Sequence, residues 1–170
     1  RERLLERKRQ LDLLLENVER TLAALEGGTA MSDKDRFMGF KEKLVRENEE
    51  KYGQEARERW GDAAFDASNA KVLGLTEEKY AELESLSREI IESLAAAVGK
   101  EDPAGAEGQR IADLHRRWLC FFWPEYSKEA HLGVAEMYVA DERFTAYYDN
   151  QAGQGAAQFL RDAIAAYAKN

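Results

Sequence analysis

Proline interrupts these 170 residues at only two positions, Pro103 and Pro124. Everywhere else the backbone keeps the N–H groups that a helix needs. Ala, Leu, Glu, Lys and Arg, the strongest helix formers, fill much of the intervening chain. Apolar residues recur at helical spacing, and neither a strand-like alternation nor an internal repeat is found. The chain is therefore expected to be all-α.

The stretch "RERLLERKRQLDLLLENVERTLAAL" repeats Leu4, Leu11, Val18 and Leu25 every seven residues, with Leu14, Leu15 and Leu22 widening the stripe. About 25 residues at 1.5 Å each make a rod of roughly 38 Å. A narrow stripe among mixed charges suits a coiled coil or dimer helix, and equally a helix folded back on its own domain. The chain opens at Arg1 already inside this pattern, as the C-terminal part of a longer protein would. "GGTAMSD" then breaks it. Met31, inside that break, reads as an internal start for a shorter form or as an ordinary methionine.

Ser32 is placed as an N-cap, with Asp33 and Asp35 suited to the helix dipole. Phe37, Phe40, Lys41 and Leu44 mark one thin face, and "RENEEKYGQEAR" after it is very polar. Residues 32–60 are thus expected to be the least stable part of the domain. A short helix is expected to end near Gly61 and another to run from Asp62 to Leu73. Thr76 caps a long helix to about Val98, with Tyr80, Leu83, Leu86, Ile90, Ile91 and Leu94 inward. "GKEDPAGAEG" is a loop, and a helix over 107–123 ends against Pro124. Ser127 starts a helix to about Ala140, and Asp141 caps a short one holding Phe144, Tyr147 and Tyr148. Gly153 and Gly155 precede a final helix with Phe159, Leu160, Ala163, Ile164 and Tyr167 inward.

Composition excludes several functions. The formal net charge of −8 argues against direct nucleic-acid binding by this segment. It leaves neutral or cationic ligands open. No run approaches the roughly 18 apolar residues of a membrane span. One cysteine, Cys120, allows no internal disulfide and suits a reducing cytoplasm. It is expected to be small, buried packing. Two histidines and one cysteine form no zinc motif. No triad, carboxylate pair or phosphate loop can be assembled, so neither an enzyme nor a cofactor is expected.

The richest stretch is "HRRWLCFFWPEY". On a helix, His115, Trp118, Leu119 and Phe122 share one face, Cys120 and Trp123 a second, and Phe121 a third. A helix apolar nearly all round is either sandwiched between two layers of core or lines a pocket with one face. Tyr126, His131, Glu136, Tyr138 and Asp141 are near enough to supply polar groups. His115 and His131, each taken alone, read as packed or exposed residues.

"AHLGVAEMYVADERFTAYYDNQAGQGAAQFLRDAIAAYA", with "EARERWGDAAFDASN" and "MSDKDRFMGF", resembles the TipAS-type antibiotic-recognition domain. That domain is the effector-binding part of some MerR-family transcription regulators. The resemblance covers about residues 31–168 and implies a globin-like fold with a cleft for bulky hydrophobic compounds, thiopeptides or albicidin-like antibiotics among them. It implies a long dimerisation helix over residues 1–28, with homodimer contacts through residues 1–27, and a drug-binding domain over 29–170 whose residues 32–60 are mobile without ligand. DNA would be reached only through an N-terminal domain absent from this chain, with no membrane involved. The site residues expected are Trp118, Phe122, Trp123, Tyr126, His131, Met137, Tyr138 and Phe144, with Trp60 and Phe37 closing from the mobile side. The cysteine that bonds covalently to thiopeptides in some members falls at Gly133 here, so binding is expected to be noncovalent. A drug-sequestering protein and a dimerisation module without a pocket are the other readings.

Overall fold

The computed structural model describes Val18 and residues 32–170. The heptad rod apart from Val18, the boundary at residue 28 and Met31 lie outside the described residues. The described residues form helices α1 (Asp33–Trp60), α2 (Asp62–Leu73), α3 (Glu77–Ala97), α4 (Ala106–Leu119), α5 (Lys128–Ala140), α6 (Glu142–Ala152) and α7 (Ala156–Lys169). The chain divides into two compact units, residues 1–43 and 44–170.

In the first unit the expected cap is found. The Asp35 amide donates to Ser32 Oγ over 3.1 Å, and Ser32 Oγ donates to the Asp35 carboxylate over 2.7 Å. Phe37 is half-buried with Lys41 Nζ 4.6 Å above its ring, whereas Phe40 is exposed.

The second unit has its core among α3 to α7. The final helix, α7, touches each of the other four. Ala156, Ala157, Leu160, Ala163 and Ile164 on its inner face are wholly shut off from water. The small residues let neighbouring helices come close, and each large one contributes about 1.5–3 kcal/mol by burial. Asp149, on α6, anchors the start of α7: its carboxylate accepts from the Gly155 amide at 3.1 Å and the Ala157 amide at 3.0 Å. The caps at Thr76, Ser127 and Asp141 form as their sequences require.

No residue of α1 or α2 belongs to that core. Phe65 is the buried apolar residue of α2. Polar contacts join the pair instead. The Arg57 guanidinium donates to Glu49 at 3.0 Å and to Asp62 at 3.3 Å, and lies 2.8 Å from an Asp66 carboxylate oxygen. Gly61, at φ 86°, makes the break between α1 and α2, a conformation that side chains resist.

Two expectations about helix limits are corrected. The polar stretch before Gly61 is not a separate short helix but the end of one 28-residue helix. It contains no proline, and pairs spaced one or two turns apart, such as Gln54 with Glu58 and Arg57 with Glu49, suit a continuous helix. The aromatic helix stops at Leu119 rather than running to Trp123. Pro124 disfavours helical geometry at Trp123. The freed carbonyls of Cys120 and Trp123 accept from Lys71 Nζ on α2, at 2.7 and 2.8 Å. A cation there also opposes the helix dipole favourably. Cys120 is the C-cap and half-buried, not buried packing.

Gly108, buried near the start of α4, admits no side chain: a Cβ would stand 1.9 Å from the Pro103 carbonyl oxygen. Gly108→Ala is expected to cost roughly 2–3 kcal/mol by overpacking. Thermal unfolding followed by circular dichroism should show a transition lowered by on the order of 5–10 °C.

Candidate functional site

Three clefts of several hundred cubic ångströms open between the core helices and α1, the second and third bordered by α2 as well. The first, about 380 Å³, is lined by Ser87, Ile90 and Ile91 of α3, His115 and Trp118 of α4, Tyr138 of α5 and Phe144, Tyr147 and Tyr148 of α6. The second, about 450 Å³, lies among Trp60, Phe65, Trp123, Val134, Met137 and Phe144. The third, about 410 Å³, is lined by Leu44, Val72, Tyr80, Leu83, Trp118 and Phe122. Asn48 of α1 reaches all three. Tyr52, one turn later, lines the first two, and its ring is stacked 6.2 Å from that of Phe144. The clefts exist because α1 and α2 bring few apolar side chains to the core surface.

Behind the first cleft runs a buried chain of hydrogen bonds. Tyr126 Oη and His131 Nδ1 are 3.0 Å apart. His131 Nε2 and His115 Nδ1 are 2.9 Å apart, with the rings parallel to within 8°. His115 Nε2 and Tyr138 Oη are 3.1 Å apart. Both imidazoles are almost wholly enclosed. Burial holds His115 well below the ordinary value of 6.5, and the facing His131 lowers it further. Burial, then the nearby Arg116 cation, brings His131 down to about 4. Burial raises Tyr138, whose hydroxyl also interacts with Tyr148. All four groups are therefore neutral at pH 7. Each nitrogen and hydroxyl of the chain has a partner, as a dry interior demands. Beside it, Trp118 Nε1 donates to Ser87 Oγ over 2.9 Å, holding the indole against α3.

The residues singled out from the sequence separate into distinct places. Trp118, Tyr138 and Phe144 line the first cleft. Trp60, Trp123, Met137 and again Phe144 line the second. Trp118 and Phe122, with ring centroids 4.8 Å apart, line the third. Tyr126 and His131 sit behind the walls in the buried chain. Phe37 belongs to the first unit and Gly133 is exposed. Two proposed polar groups serve elsewhere. Glu136 is exposed, and Asp141 caps α6 and binds Arg143. Asn48, Tyr52, Ser87 and Tyr148 also line the first cleft and are not among the residues expected from the sequence. The first two lie in the stretch whose polarity hid their role. His115 lines the first cleft as well, and its place on the Trp118 and Phe122 face is the sequence signal for it.

A sequence profile described as the TipAS antibiotic-recognition domain matches residues 52–167. The chain belongs to that family. It is 30% identical over 171 residues to the HTH-type transcriptional activator mta of Bacillus subtilis, covering 98% of this chain and 64% of the relative. It is 31% identical to the HTH-type transcriptional activator TipA of Streptomyces coelicolor, covering 89% of this chain and 58% of the relative. The chain thus spans about two thirds or less of the length of these two relatives. A solved structure of TipAS from Streptomyces lividans in complex with nosiheptide matches with a TM-score of 0.56 and 29% identity, covering 82% of this chain and 96% of that one. The family resemblance expected from the sequence thus holds, with the profile match covering residues 52–167, and the described residues form helices without strands.

Among the described residues no helix is long and apolar enough to cross a membrane, and no cluster of metal-ligating side chains is found.

The buried imidazoles carry a pH signature. Their folded-state values lie below 6.5, so the unfolded chain binds more protons between about 4 and 6.5. Stability is complete above 6.5 and falls as the pH is lowered toward 4. Urea unfolding at a series of pH values should show the midpoint dropping through that window. Histidine NMR titration should place His131 near 4.

Proposed function

We propose that this chain is the effector-sensing domain of a MerR-type transcription regulator and that it binds a bulky hydrophobic antibiotic or drug-like molecule noncovalently. The observation that carries this reading is the set of aromatic clefts that share Asn48 of α1, two of them also lined by Tyr52. A molecule seated there is met by stacked rings, each contact adding about 0.5–1.5 kcal/mol beyond burial. Polar groups are few, as in sites for apolar ligands. The complex of the TipAS relative with nosiheptide supports the ligand class.

A helix outside the core orders readily on an occupant. Residues 32–60 tighten around the ligand in this reading, at an entropic cost that the new apolar contacts offset. Residues 1–28 form the dimerisation helix that carries the change to DNA-binding domains outside this chain, with residues 29–170 as the drug-binding domain. The site works by binding alone, with no catalysis and no cofactor, in the cytoplasm. Gly133 has no side chain to form a covalent adduct, and Cys120 caps α4. Open clefts beside residues 118–138 speak against a module with a filled interior.

Calorimetric titration with nosiheptide and with albicidin tests the proposal, read together with far-UV circular dichroism. Binding with a gain in helicity is expected. Tyr52→Ala and Trp123→Ala, both outside the central core, should each weaken it about tenfold, or about 1.4 kcal/mol, with unfolding little changed. Absence of binding by either compound, with unaltered helicity, would remove the reading.

A further inference from the structure

Four groups in the buried chain, Tyr126, His131, His115 and Tyr138, carry one mobile proton each and make three hydrogen bonds. Two proton orders satisfy every bond. In the first, Tyr126 donates to His131 Nδ1, His131 Nε2 donates to His115 Nδ1, and His115 Nε2 donates to Tyr138. The Tyr138 O–H is then left to donate onward. In the second, Tyr138 donates to His115 Nε2, His115 Nδ1 donates to His131 Nε2, and His131 Nδ1 donates to Tyr126. The Tyr138 oxygen is then left to accept, and the spare O–H belongs to Tyr126.

The imidazoles are locked together by this geometry. Both carry the proton on Nε2 in the first order and both on Nδ1 in the second. A mixed pair would set N–H against N–H, or lone pair against lone pair, across 2.9 Å in a site closed to water. Exchange between the orders passes one proton through the chain: one enters from water at half-buried Tyr126, and one leaves to water at the other end. That other end is the first cleft, which His115, Tyr138 and Tyr148 all line. Tyr148, which interacts with the Tyr138 hydroxyl, extends the chain without altering its sense.

We infer that the Tyr126–His131–His115–Tyr138 chain is a reversible hydrogen-bond reader, letting one aromatic cleft accept ligands that present either an acceptor or a donor. The ligand class is a flat polycyclic molecule bearing a single polar heteroatom. The cleft supplies the stacking surface, and the chain sets its one polar contact to match. This rests on the ligand-binding reading above and adds to it a reason why one site serves chemically different compounds. Fixed polar groups reject the mismatched analogue; a switchable one does not.

Acridine, an acceptor only, and carbazole, a donor of the same three-ring shape, are the probes. The chain has two histidines, so nitrogen NMR of histidine-labelled protein reads each ring directly. With acridine bound at neutral pH, both imidazoles should be Nε2–H; with carbazole bound, both should be Nδ1–H. Affinities should agree within about threefold, and Tyr138→Phe should weaken both roughly tenfold and abolish the tautomer difference. Probes that bind while leaving the tautomers identical, or a mixed pair in any state, would overturn the inference and spare the ligand-binding reading. Failure of both probes and of nosiheptide to bind would overturn both.

Discussion

The inner face of α7 is the constraint on which the rest of this domain depends. Ala156, Ala157, Leu160, Ala163 and Ile164 are completely dry, which requires four other helices to lie against one short rod. The alanines set the closeness of approach, and the Asp149 carboxylate fixes where the rod begins. Once α3 to α6 have met that face, their own inner stripes are used. α1 and α2 arrive with little apolar surface and join the protein through polar contacts and cleft walls.

The division between a saturated core and an under-packed pair of helices places the clefts. Packing density in α3 to α7 leaves the rings of Trp118, Phe122, Trp123 and Phe144 partly uncovered, because their positions face helices that cannot fill the gap. Tyr52 and Asn48 complete the walls from α1. Of the two helices that contribute least to the core, α1 therefore reaches every cleft through Asn48, and α2 lines the second and third.

The buried imidazole pair shows how polarity is kept inside such an interior. Two histidines, one on α4 and one on α5, satisfy each other and pass their remaining valences to tyrosines at either end. Neutrality is enforced by burial rather than by ion pairing, unlike the surface guanidinium of Arg143, which gathers Asp141 and Glu55 in the open. Such a surface pair contributes little to stability. Its role is to connect α6 with α1 beside the first cleft.

Helix identity was written locally. Caps at Ser32, Thr76, Ser127 and Asp141, the apolar stripes of α3 and α7, and the family stretch that begins at Ala130 were all legible in the sequence, since propensity, capping and period act within a few residues of each other. The aromatic character of the site was legible for the same reason. The sequence did not reveal that α4 stops at Leu119, because the partner for its freed carbonyls is Lys71, about 50 residues away. Nor did it show that His115 meets His131, or that Tyr52 faces Phe144. Each depends on which helices become neighbours, and that is decided by long-range packing around α7 rather than by the local chain.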